Sequence, residues 1–113
     1  MTTYLRVLIA TFALLLPSAA LADAGEGYIT AIMPMPNGAV LFDHSGDRSN
    51  IPACQGPGLE RRWAFSVAGN EGQAKLSVLL TAYALKKKIR IVGTGACPNW
   101  PDTESLLYFL IVD

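Results

Sequence analysis

Residues 71–93, EGQAKLSVLLTAYALKKKIRIVG, hold a helix followed directly by a strand, and their place in the chain decides the fold. Leu76, Leu79, Leu80 and Tyr83 recur at i, i+3, i+4 and i+7, one apolar stripe along a helix predicted from Glu71 to about Leu85. Ala74, Val78 and Ala82 widen that stripe, and Asn70 stands where a side chain caps the first turn. Lys86, Lys87 and Lys88 bring positive charge to the end of the helix, where the helix dipole favours it. Ile89 to Gly93 then reads as a strand closed by Gly93-Thr94-Gly95.

Working outward toward the N-terminus, Arg62 to Val67 puts Trp63, Phe65 and Val67 on one face of a strand, with Trp63 expected in the core. Gly27 to Pro34 and Ala39 to Phe42 are two further strands. Asn37-Gly38 between them is the sequence of a tight hairpin turn, because both residues tolerate positive φ. Asp43 to Asn50 is polar and turn-forming, leading to a short third strand or extended piece before Pro52, and residues 55–58 form a loop. Toward the C-terminus, Cys97 to Pro101 is a loop and Ser105 to Val112, SLLYFLIV, is a strand apolar on both faces. An exposed edge of that kind invites aggregation, so this strand is expected to be buried by barrel closure or by another subunit.

The succession, strands followed by one helix and two more strands, predicts a mostly β domain of OB-fold type, a small five-stranded barrel. A helix laid over an unclosed antiparallel sheet is the alternative. There is no internal repeat to suggest a longer architecture.

The first 22 residues read as a secretory signal. Arg6 precedes the apolar run VLIATFALLL, and Pro17 and an Ala20-x-Ala22 cleavage site follow. The run is shorter than the roughly 20 residues a membrane span needs. Cleavage after Ala22 would leave a single domain, residues 23–113, secreted or periplasmic. The 51% hydrophobic content of the 113 residues includes this leader and overstates the core. Of nine basic residues, losing Arg6 leaves eight against nine acidic ones, which gives nucleic acid no basic stripe to bind. Cys54 and Cys97, an even pair in an exported domain, are expected to form a disulfide. Without C-x-x-C spacing and with one histidine, no metal or cofactor site is predicted.

Residues for chemistry are few. His44 lies in the polar 43–50 segment and reads either as a turn histidine or, with Asp47 and Arg48, as part of a binding loop. Trp100, between Asn99 and Pro101, either offers a partly exposed indole to a sugar ring or folds down over the disulfide. Asp102 and Glu104 are two carboxylates near Trp100. A glycosidase needs such a pair facing each other across a sugar, yet nothing in the sequence raises one pKa above the other. Turn and strand-entry roles account for both, as a solvated face accounts for Glu60, Arg61 and Arg62. The expectation is a non-enzymatic binding module whose candidate contacts are Trp100, Asp102, His44, Asp47 and Arg48. A periplasmic protein that binds or inhibits another protein is the alternative.

The combination of Asn37-Gly38, Pro52-Ala53-Cys54, Arg62 to Phe65, Gly72 to Ala84, Ile91 to Cys97 and Trp100 to Phe109 resembles a group of small exported bacterial proteins, mostly uncharacterised. A more distant likeness is to the B subunit of subtilase cytotoxin and its relatives in typhoid and pertussis toxins. It rests on size, on Ala53-Cys54 ahead of Trp63, on the Ala/Leu/Tyr helix and on Lys88 to Val92. That resemblance implies an OB-fold, a homo-oligomer in a ring of five, and binding of cell-surface glycans. No sugar-contacting residue of the toxin family maps onto this chain.

Overall fold

The computed structural model describes residues 23–112; the signal peptide expected at residues 1–22 lies outside them. Seven strands and one helix follow in order: β1 (Asp23–Gly27), β2 (Ile29–Pro34), β3 (Ala39–His44), β4 (Arg48–Ser49), β5 (Arg62–Ser66), α1 (Gly69–Ala84), β6 (Ile89–Gly93) and β7 (Leu106–Ile111). They form two antiparallel sheets, of order β4-β1-β6-β7 and β2-β3-β5. The domain is mostly β with one helix, as the sequence predicts. It is not a closed barrel.

The two sheets are joined where the chain passes from one to the other. Only Tyr28 separates β1 from β2, and the turn Ser45–Asp47 separates β3 from β4. These two bends cross in close contact. The Gly25 N–H donates to the Asp47 carbonyl at 2.8 Å and the Ser45 N–H to the Tyr28 carbonyl at 2.9 Å. A Cβ on Gly27 would run into the Gly46 backbone, so glycine is what lets the strands approach. A third junction is a single parallel bridge, Ala64 to Ser105.

Asn37 (φ 63°) and Gly38 (φ 75°) both occupy left-handed backbone conformations, the hairpin turn read from the sequence. Phe42, Trp63, Phe65, Leu79, Ile89 and Ile91 fill the core, and Phe42 meets Phe65 edge-on at 6.2 Å between ring centres. Helix α1 starts earlier than predicted. Ala68 is its N-cap, with no side-chain cap, so Asn70 lies inside the first turn and does not close it. At Gly72, inside the helix, a Cβ would strike the backbone of Ser66 and Val67 at the end of β5.

The predicted apolar stripe is only partly used. Gly72, Leu79 and Ala82 are buried and Leu76 is partly so, but Val78, Leu80 and Tyr83 face solvent. Strand β7 also departs from expectation. It pairs with β6 at the edge of its sheet, and Leu107, Tyr108, Leu110 and Ile111 remain 38–50% exposed. The described residues therefore do not bury both faces of this strand. None of the described helices is long and apolar enough to cross a membrane.

Candidate functional site

Trp100 is half-buried on the loop between β6 and β7. That loop is tied down locally. Thr103 N–H donates to the Trp100 carbonyl at 3.2 Å, Ser105 N–H to the Ala96 carbonyl at 2.9 Å, and Asn99 N–H to Ser105 Oγ at 3.3 Å. The disulfide Cys54–Cys97 fastens the same loop to the segment before β5. Opposite Trp100 stands the β2–β3 turn. Between them lies a recess of about 640 Å³ lined by Pro36, Asn37, Cys97, Pro98, Asn99, Trp100 and Pro101. One tryptophan, three prolines and two asparagines meet there, a lining without charge.

A polar network runs behind this loop. Glu104 is fully buried and pairs with the Arg48 guanidinium, whose side chain is 4% exposed. The other Glu104 oxygen, Oε2, accepts from Gly95 N–H at 2.8 Å. Arg48 also donates to the Glu60 carbonyl at 2.8 Å and stacks on Trp63, while its Nε has no partner. Burial pulls the Arg48 pKa below its ordinary value, against the pull of Glu104. Gln55 completes the set, accepting from Glu104 N–H at 2.7 Å and donating to the Leu59 carbonyl. Nearer the surface, Arg62 bonds Asp102 Oδ1 at 2.6 Å and Thr103 Oγ1 at 2.9 Å. The two carboxylates considered for hydrolysis are thus each engaged by a different guanidinium.

The candidates from the sequence separate into two groups. Trp100 and Asp102 share one loop. His44, Asp47 and Arg48 sit at the β3–β4 bend and do not line the Trp100 recess. His44 is a correction to the polar-loop reading, because it ends β3 and is buried. Its Nε2 lies 3.0 Å from the Ile89 carbonyl and its Nδ1 accepts from Gly46 N–H at 3.2 Å. Burial, the largest influence, lowers its pKa below the ordinary 6.5. Arg48 is likewise enclosed, held by a carboxylate 56 residues away. Asp47 has an exposed side chain. Arg62, expected on a solvated face, is a partner of Asp102.

Asn37 was legible only as a turn residue. Its role as a wall of the recess depends on the fold bringing the β2–β3 turn to the β6–β7 loop. Among the described residues no cluster of three or more His, Cys, Asp or Glu is arranged to hold a metal. No family model, curated protein or solved structure with which the chain was compared matches it.

Proposed function

We propose that this chain is an exported, non-catalytic module that binds carbohydrate in the Trp100 recess. The observation that carries the reading is the half-buried indole set beside the Asn37 and Asn99 amides in an uncharged hollow of about 640 Å³. A pyranose presents an apolar C–H face and a rim of hydroxyls. The indole suits the face, and amides both donate to and accept from hydroxyls. Asp102, two residues along the same loop, lies outside the recess lining and is paired with Arg62. The disulfide supports an oxidising compartment and so the signal-peptide reading of residues 1–22.

An OB-like architecture belongs to the same proposal. Its support is the order of the elements and the isolated Ala64–Ser105 bridge between β5 and the segment before β7, which leaves the barrel unclosed. Self-association is part of it too, with the exposed apolar β7 as the contact. That strand equally supports the second reading, a module that binds or inhibits a different protein.

Binding to an array of immobilised glycans tests the function. The wild-type chain is expected to retain a restricted set of sugars, and Trp100→Ala to lose them at least tenfold while remaining folded. A folded Trp100→Ala protein with unchanged glycan affinity removes the recess from the function. An array with no retained sugar, alongside one stoichiometric protein partner, replaces this reading with the second.

A further inference from the structure

We propose that the corner at the C-terminal end of α1 docks on the surface of an anionic phospholipid bilayer. Three features converge there. A cleft of about 630 Å³ separates Tyr28 and Ile29 from the end of α1, with Tyr83, Lys86 and Lys87 on its walls. Leu85, directly after the helix, is 63% exposed, the most exposed large apolar side chain among the described residues. Lys86, Lys87 and Lys88 follow without interruption, and Lys88 Nζ stands 5.6 Å from the centre of the Tyr28 ring.

The corner is held in shape. Leu85 N–H donates to the Thr81 carbonyl at 3.0 Å, Lys86 N–H to the Tyr83 carbonyl at 3.2 Å and Lys87 N–H to the Ala82 carbonyl at 2.9 Å. Lys86 takes a left-handed conformation, φ 53°, at the position after a helix where glycine is the unstrained choice. A charged side chain is thus carried at a site where the backbone alone would select against any side chain.

Charge complementarity selects the occupant. The chain as a whole is neutral, yet three of its nine basic residues adjoin one another at this corner. Among the described residues, Glu26 nearby is engaged with Arg90 at 3.1 Å, and Lys87 has an interaction of its own. Lysines at a membrane surface are drawn to anionic headgroups, tyrosines favour the interface between headgroup and chain, and an exposed leucine enters the acyl boundary. The helix dipole accounts for the lysines alone. A soluble anion would use the lysines and leave Leu85 in water, whereas a lipid surface engages the leucine, the tyrosines and the lysines together. This patch is separate from the Trp100 recess, and neither proposal depends on the other.

Sedimentation of residues 23–113, the chain expected after signal cleavage, with vesicles tests it. The vesicles are phosphatidylcholine with 30 mol% phosphatidylglycerol, compared with phosphatidylcholine alone. The expected result is binding to the anionic vesicles only, weakened by raising salt. The variant Leu85→Ser/Lys86→Gly should reduce that binding at least fivefold. Both positions are exposed and glycine suits the left-handed site, so this variant should fold, as a thermal melt of the same sample will report. Equal binding to both vesicle types, or equal binding by the variant, overturns the proposal. So does absence of binding, and if lysine labelling at 86–88 is then blocked by polyglutamate, the partner is an acidic protein.

Discussion

Arg48 holds its guanidinium 3.9 Å over the centre of the Trp63 ring while pairing with Glu104, so one cation serves an aromatic face and a buried carboxylate together. Neither acid nor base is tolerable there alone. Removing one member of a buried ion pair leaves an uncompensated charge, at a cost of about 3–5 kcal/mol. Arg48→Met is therefore expected to be strongly destabilising in urea titration. Adding Glu104→Leu should recover much of the loss, with the Gly95 N–H left as the residual penalty. If the double substitution is as unstable as the single one, packing against Trp63, not charge pairing, is the dominant contribution.

Stability should decline in mild acid because of His44. Burial holds its folded pKa below 6.5, assisted by Arg61, although bonding to the Ile89 and Gly27 carbonyls opposes the shift. Above about pH 6.5 the ring is neutral in both the folded and unfolded chain, and its contribution is fully present. As pH falls below that value the unfolded chain takes up the proton first, and folding becomes less favourable. Urea midpoints measured between pH 7.5 and 5 should fall for the wild type and flatten for His44→Gln. An equal slope in both proteins would assign the acid sensitivity to other groups.

Reduction of the disulfide should cost about 4 kcal/mol in the chain-entropy model, given the 43-residue separation of the two cysteines. Denaturant titration with and without a thiol reductant measures it. Cys97 also lines the Trp100 recess, so the glycan signal is expected to weaken in the reduced protein.

Self-association through β7 is expected to respond to charge placed on its exposed face. Light scattering of the purified chain should give a mass of several subunits, five if the toxin likeness extends to assembly. Leu107→Lys with Leu110→Lys should return it to one. A wild-type monomer at micromolar concentration would remove the homo-oligomer from the proposal and leave β7 for another protein.

The sequence made legible whatever local chemistry dictates. Asn37-Gly38 specifies its turn because two consecutive residues must adopt positive φ, and the cysteine pair specifies its own bond. β5, β6 and the body of α1 follow from periodicity. β1 did not, because Asp-Ala-Gly-Glu-Gly has little strand character and is extended by pairing with β4 and β6. The Arg48–Glu104 pair was equally hidden, since no local pattern links residues 56 positions apart. His44 misled for a related reason. It stands beside polar turn residues, but it is the final residue of β3 and reaches across to the Ile89 carbonyl of the other sheet. Of the candidate site, Trp100 was readable as a loop aromatic, either partly exposed or folded over the disulfide, whereas its facing wall required the tertiary fold.

The bend at Tyr28 has a bearing on how the molecule opens. Because β1 and β2 are one nearly continuous run, a slip of that run by one residue would turn side chains over in both sheets. Neither sheet can shed its partner and survive as a separate unit. Amide exchange in β3 and β6 should therefore proceed through the same global opening, at matching rates, although no hydrogen-bonded ladder joins those two strands.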